Sequence, residues 1–280
     1  MVMLDYLLQF IEEDAPSGDL TSAAIIPDIS CNAVIRAEQE GIIAGLEEAS
    51  ILFSHFGVSV KQLAKDGEAV CQNDSLLLLN GDAKKILLVE RTALNIIGRM
   101  SGIATQTRKN VDIVASVNPC CRVAATRKTC PGFRILDKKA VKIGGGDPHR
   151  MNLSDGILIK DNHLVLVSLP NAILAAKKVS AYKKIEVEVE TPENALFAAK
   201  AGADIIMLDN MSPDQITRTI RVLNNEGLRD RVIIEISGGI DESSLPGYAA
   251  LDVDVISLGV LTHSVRNLSV NLEIIPQTIP

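Results

Sequence analysis

From about residue 122 onward, short apolar runs alternate with stretches of helical pattern. The runs are Arg122 to Ala125, Gly156 to Lys160, Ile185 to Glu190, Ile205 to Leu208, Val232 to Ile236 and Val255 to Leu258. Between them, Pro192 to Ala201 and Pro213 to Asn224 read as helices, each with Thr or Ser ahead of a proline whose fixed φ suits the first helical turn. Strand and helix in alternation is the signature of βα units, which build a parallel sheet or barrel. Glu190, Asp209, Ser237 and Gly259 fall at or just past the carboxyl ends of four of these strands, where α/β barrels place their chemistry.

The earlier part of the chain reads differently. Cys31 to Gln39 alternates as a strand, Glu40-Gly41 is a turn, Leu76 to Leu79 is a short strand, and Leu46 to Phe56 and Ile86 to Met100 are amphipathic helices. This pattern predicts a separate α+β domain. The barrel-like stretch, roughly Gly102 to Arg266, is shorter than the ~250 residues of an eight-stranded barrel, so fewer strands and an incomplete ring are expected. Another domain must then cover the opening.

A membrane helix needs about 20 consecutive apolar residues, and runs such as Leu76 to Leu79 fall far short. No bilayer span is expected. At the N-terminus Asp5 interrupts the apolar stretch and no basic region precedes it, which favours a docked first helix over a targeting segment. The five cysteines (Cys31, Cys71, Cys120, Cys121, Cys130) are odd in number and lack metal-site spacing, so free buried thiols in a reducing cytoplasm are expected. Cys130 is read as packing.

The formal charge of −7 argues against a nucleic-acid partner. Its distribution says more: Cys121 to His163 holds nine Lys and Arg against four Asp, so this window is +5 and the remainder −12. A basic segment inside an acidic protein suits a small, highly anionic substrate.

That window contains Thr126-Arg127-Lys128-Thr129, the turn Gly144-Gly145-Gly146-Asp147-Pro148-His149-Arg150, and Lys160-Asp161-Asn162-His163 directly after a strand. An isolated Arg-Lys pair is usually a solvated edge, and three glycines can be an idle loop. With basic residues on both sides, close backbone approach to an anion is the stronger reading. Arginine forks match planar carboxylates, whereas lysine is a compact charge for phosphate. Glu190 and Asp209 could share Mg²⁺ or simply pair with nearby lysines. Ser237-Gly238-Gly239 and Gly259-Val260 match the phosphate site that barrels build after their last two strands, and His263 lies one turn beyond Gly259.

The run TRKTCPGFRILDKKAVKIGGGDPHRMNLSDGILIKDNH, with upstream SGDLTS and ERTALNIIGRMSGIAT and downstream EVEVET, IMLDNM, EISGGI and ISLGVLTHS, resembles the quinolinate phosphoribosyltransferase family over nearly the whole chain. The resemblance implies an α/β fold: an N-terminal sandwich domain over 1–102, a partly open α/β barrel over 103–266, and a tail, 267–280, packed with the first domain. It also implies a dimer, or a hexamer built as a trimer of dimers, with active sites shared between chains. Arg127, His149 and Arg150 then resemble the cradle for two quinolinate carboxylates, with Arg91 arriving from the partner chain. Lys128 and Lys160 resemble contacts to substrate and pyrophosphate, with Thr126 beside them, and Glu190 and Asp209 resemble metal and ribose ligands. Ser237, Gly238, Gly239 and the stretch Leu258, Gly259, Val260 match phosphate loops, with His263 a neighbour. Cys130, Asn152 and Ser154 depart from the residues common in the family, which bears on loop shape more than on the charged ligands.

The reaction so implied joins quinolinate to phosphoribosyl pyrophosphate, with Mg²⁺ and no organic cofactor, and releases pyrophosphate and CO₂ to give nicotinate mononucleotide. Lys128, Lys160, Glu190 and Asp209 are the expected catalytic residues. Three rivals stay open: the related protein found with molybdate-transport genes, a Schiff-base aldolase using Lys160 or Lys128, and a binding protein with the same cationic pocket.

Overall fold

The computed structural model describes residues 2–276. The chain divides into two compact units. One gathers the chain through Gln106 with Lys142–Gly144 and the residues from Ser264 onward; the other holds Thr107–Val141 and Gly145–His263. The boundaries therefore lie at 106/107 and 263/264, a few residues inside the expected 102/103 and 266/267.

In the first unit the elements are α1 (Val2–Asp14), α2 (Leu20–Ile25), β1 (Ser30–Ala37), β2 (Gly41–Ile42), α3 (Leu46–His55), β3 (Ser59–Gln62), β4 (Ala69–Val70), β5 (Ser75–Asp82) and the start of α4 (Ala83–Val117). Gly41, expected in a turn, opens β2. Helix α4 is far longer than the predicted 86–100, because nothing between Ala83 and Val117 breaks it. Gly98 and Gly102 look like breakers but serve close packing: Leu268 N–H donates to Gly98 O at 2.9 Å, and a Cβ on Gly102 would sit 2.1 Å from Arg266 O.

The second unit continues with β6 (Arg122–Ala124), α5 (Arg134–Ile143), β7 (Ile157–Ile159), α6 (Asp161–Leu164), α7 (Leu169–Lys177), β8 (Ile185–Val189), α8 (Pro192–Ala201), β9 (Ile205–Asp209), α9 (Pro213–Asn225), β10 (Ile233–Ser237), α10 (Leu245–Ala249), β11 (Val255–Ser257) and α11 (Val260–His263). The last strand, β12 (Val270–Ile275), belongs to the first unit and pairs antiparallel with β1, giving the order β12-β1-β5-β3. The expectation for residues 277–280 of the tail lies outside the described residues.

The six parallel strands of the second unit follow the order β6-β11-β10-β9-β8-β7, so every consecutive pair in the chain is bonded except β6 and β7. The ring is open there. Asp147 takes the vacant edge of β6, with its N–H on Val123 O at 2.8 Å and its carbonyl accepting from Ala125 N at 2.9 Å. Helix starts are fixed locally: Thr191 Oγ1 accepts from Asn194 N ahead of α8, and Ser212 forms a capping box with Gln215 ahead of α9. The core lies between strands and helices, with Val187, Ile206, Ile234 and Ile256 fully buried there.

Candidate active site

Residues two apart on a strand share a face. On β8, Ile185, Val187 and Val189 join the helix-side core, which turns Glu186 and Glu188 into the ring. On β10, Ile234 and Ile236 likewise leave Glu235 and Ser237 inward. Many barrels fill this space with branched aliphatic side chains. This one carries charge.

A cavity of about 510 Å³ opens at the carboxyl ends of the strands. Thr126, Arg127 and Lys128 reach it from the loop after β6, His149 and Arg150 from the segment after Asp147, and Lys160 from the end of β7. Across from them stand Glu188, Asp209, Asn210, Glu235, Ser237, Gly238 and Gly239. A second cavity of about 550 Å³ at the amino ends shares His149, Arg150 and Glu235 with the first.

Lys160, His149 and Lys138 are braced. Lys160 Nζ lies 2.6 Å from Glu188 Oε2, and its backbone N–H donates to His163 Nδ1 at 2.9 Å. His149 takes a positive φ of 57° and donates its N–H to Asp147 Oδ1 at 2.7 Å. Its Nε2 stands 3.4 Å from Glu235 Oε2 and 3.9 Å from Glu186 Oε2. Ser257 Oγ donates to Glu235 Oε1 at 2.6 Å. Lys138, buried on α5, donates from Nζ to Pro148 O and, at 2.8 Å, to Arg150 O, which ties the His149 segment to the helix.

These environments move the titrations. Burial, reinforced by the Glu235 charge, pushes Glu186 up to about 7. Burial pulls His149 down, but the hydrogen bond and charge of Glu235 and the charge of Glu186 outweigh it and hold the imidazole above its ordinary value. Burial, with Arg134 next, pushes the Lys138 ammonium down to about 8. One ligand atom from each of His149, Glu186 and Glu235 falls within 4.8 Å of the others, an imidazole set between two buried carboxylates.

Residues 103–273 match the C-terminal domain of quinolinate phosphoribosyl transferase, and residues 19–101 match its N-terminal domain. The chain belongs to the quinolinate phosphoribosyltransferase family. A probable nicotinate-nucleotide pyrophosphorylase (carboxylating) of Methanothermobacter thermautotrophicus is 44% identical over 276 residues, covering 97% of this chain and 99% of its own. The similarly named protein of Archaeoglobus fulgidus is 45% identical over 260 residues, covering 93% of this chain and 99% of its own. The crystal structure of NadC from Streptococcus pyogenes is 36% identical, with a TM-score of 0.88 and coverage of 97% of this chain and 96% of that one.

Set beside the sequence expectations, the phosphoribosyltransferase cavity gathers Thr126, Arg127, Lys128, His149, Arg150, Lys160, Asp209, Ser237, Gly238 and Gly239. Glu190, Leu258, Gly259, Val260 and His263 do not line it. Glu190 is exposed one residue past β8, and Lys160 pairs with Glu188 instead. A Cβ on Gly259 would lie 3.1 Å from His263 Cδ2 and 3.2 Å from Lys128 Cδ, so these three residues adjoin one another. Arg91 is exposed on α4 within the first unit.

Two local readings are corrected. The triple glycine does not line the cavity: a Cβ on Gly146 would fall 2.6 Å from Thr107 Cγ2 and 3.3 Å from Val123 O, so the close approach that Gly146 makes is to α4 and β6. Cys130 is exposed and not packed, as are Cys71 and Cys120; only Cys31 and Cys121 are buried. Glu188, Glu235, Ser257, Asn210 and Lys138 escaped the sequence reading. The alternation Glu186-Val187-Glu188-Val189-Glu190 held the signal, since three carboxylates at a spacing of two share one face.

Proposed function

We propose that this enzyme transfers the phosphoribosyl group of phosphoribosyl pyrophosphate to quinolinate and releases pyrophosphate, CO₂ and nicotinate mononucleotide, a step of NAD biosynthesis. The carrying observation is the convergence of Arg127, His149, Arg150 and Lys160 on one cavity, opposite Asp209 and the Gly238-Gly239 turn. Arg127 Nε and His149 Nδ1 are buried with no hydrogen-bond partner among the described residues, as donors awaiting an anion would be. The names of the curated relatives point to the same reaction.

In this reading Arg127, His149 and Arg150 hold the two carboxylates, and Lys128 and Lys160 hold the pyrophosphate. Ser237, Gly238 and Gly239 receive the ribose phosphate, with Leu258, Gly259, Val260 and His263 behind them. Gly238 has φ 95°, and a Cβ there would lie 2.2 Å from Asn210 Oδ1, so only glycine fits this turn. The pyridine nitrogen attacks ribose C1 while the C1–O bond breaks and its electron pair leaves with pyrophosphate. Asp209 and Glu190 face the positive charge that develops at C1. The alkylated ring nitrogen then accepts the electron pair of the departing carboxylate, and a proton takes its place on the ring.

Asp209 at the end of β9 and Glu190 just past β8 follow the Val189–Leu208 register pair, which sets two hard oxygen ligands on neighbouring strand ends. That donor set fits Mg²⁺, which commonly takes one or two carboxylates and completes its shell with phosphate oxygens and water. When bound it shields the leaving pyrophosphate. The aldolase reading loses support from the Lys160–Glu188 ion pair, because Nζ, 2.6 Å from Glu188 Oε2, is engaged by that carboxylate instead of standing open to a carbonyl.

We further place Arg91 in the partner chain's site of a dimer or trimer of dimers, and the enzyme in the cytoplasm, in keeping with its free thiols. Among the described residues no helix is long and apolar enough to cross a membrane. The test is to incubate the protein with quinolinate, phosphoribosyl pyrophosphate and Mg²⁺ and to look for nicotinate mononucleotide and CO₂. Equal turnover of nicotinate would overturn the dicarboxylate assignment.

A further inference from the structure

The His149 segment is held from three sides. Asp147 Oδ1 accepts from the His149 N–H, Lys138 Nζ bonds the carbonyls of Pro148 and Arg150, and Glu235 Oε2 stands 3.4 Å from Nε2. Glu235 is itself 2% exposed and pinned through its other oxygen by Ser257 Oγ. With Nε2 committed to Glu235, the remaining ring nitrogen, Nδ1, is buried and unpartnered among the described residues. In a neutral imidazole that bonds Glu235 through Nε2–H, Nδ1 carries only a lone pair, which repels a carboxylate. In the doubly protonated ring it carries a hydrogen and attracts one.

We propose that Glu235 is a positioning residue for substrate binding: it aims Nε2–H of His149 toward the barrel axis and keeps Nδ1–H as a donor to an anionic carboxylate of the substrate. The inference rests on the function proposed above. The groups facing His149 are Glu235 on β10, Glu186 on β8 and Lys138 on α5, with Arg150 next to it in the chain. The two carboxylates favour the charged ring and Lys138 opposes it. Glu235 stands nearer to Nε2 than Glu186 does, 3.4 Å against 3.9 Å, and Ser257 pins it in place, which makes Glu235 the main support.

Glu235→Gln keeps the shape and removes the charge. NMR titration of His149, assigned by loss of its resonance in His149→Gln, is expected to show its midpoint falling by about one pH unit or more in Glu235→Gln. The basic limb of the kcat/KM profile for quinolinate moves to lower pH by the same amount. At pH about 8, KM for quinolinate rises about tenfold, while KM for phosphoribosyl pyrophosphate stays within about twofold. Glu235→Asp, which restores the charge on a shorter arm, recovers part of the shift. An unmoved His149 midpoint, or a changed midpoint with an unmoved kinetic limb, overturns the proposal. If Glu235→Gln does not fold, Ser257→Ala frees Oε1 and is expected to give a smaller shift in the same direction; no shift there also overturns it. Should the wild type fail to turn over quinolinate, the functional reading fails, while the NMR comparison still reports on Glu235 and His149 alone.

Discussion

Lys160, one residue past β7, and Glu188 on the neighbouring β8 form an ion pair, 2.6 Å from Nζ to Oε2, that fixes one cation at the mouth of the cavity. Lys160 is 45% exposed along its side chain and Glu188 only 10%, so the carboxylate is the rigid member. Glu188→Gln frees the ammonium to sample other rotamers. Its kcat/KM is expected to fall about tenfold, with folding intact, because Lys160 keeps its charge but loses the carboxylate that orients it. Steady-state kinetics beside a thermal melt checks this.

Arg127→Ala and Arg150→Ala remove guanidinium forks from the proposed carboxylate cradle. Truncating one partner of a buried charge pair costs on the order of 2–5 kcal/mol, roughly 30-fold to several thousand-fold in kcat/KM for quinolinate. Losses below about threefold in both variants would remove these arginines from the site.

Asp209 lines the cavity and Glu190 stands exposed beside it, so the two carboxylates should differ. Asp209→Asn is expected to lower kcat by about a hundredfold and to raise the Mg²⁺ concentration for half-maximal rate, with Glu190→Gln following more weakly. A Mg²⁺ titration of both variants separates metal binding from a purely structural role.

Lys138 binds its proton more weakly folded than unfolded, since burial lowers it from 10.5 to about 8. Between those values the unfolded chain holds the extra proton, so this residue's contribution to stability rises with pH across the window and is least favourable below about 8. Lys138→Met removes that slope. Melts at pH 8 and pH 10 should therefore show the wild type gaining on the variant. The variant also loses the bonds to Pro148 and Arg150 carbonyls, and a raised KM for quinolinate is expected.

A site completed by Arg91 from the partner chain can be tested by mixing. Arg91→Ala and Arg127→Ala should each be nearly inactive. Refolded together in equal amounts, they form about half heterodimers, each with one intact site, so roughly a quarter of wild-type activity returns. Activity that stays near background, with mixed dimers confirmed by mass, assigns Arg91 to its own chain.

Much of the fold was legible because local signals agreed with the global one. The six barrel strands lie within a residue or so of their expected bounds, since each apolar run is bounded by a polar residue or a proline-capped helix. Helix α4 runs well past Met100, where its expected span ends, and Gly98 and Gly102 are places where 266–268 pack closely against it. At the site, the loop cations were found because charge clusters in sequence. Glu235 and Lys138 were not, since one hides within a strand and the other on a helix, and their meaning depends on the residues that fold beside them. The glycine turn misled for a related reason: its spacing fits an anion cradle and a tight crossing equally well.

The gap between β6 and β7 has a mechanical consequence. The cations of the cavity all line that seam, Arg127 and Lys128 on one lip, His149 and Arg150 on the single bridging segment, and Lys160 on the other lip. The carboxylates Glu188, Asp209 and Glu235 sit on the continuous, hydrogen-bonded wall. Like charges gathered along an unpaired strand edge repel one another, and in the proposed reaction a polyanion laid along that edge would offset the repulsion.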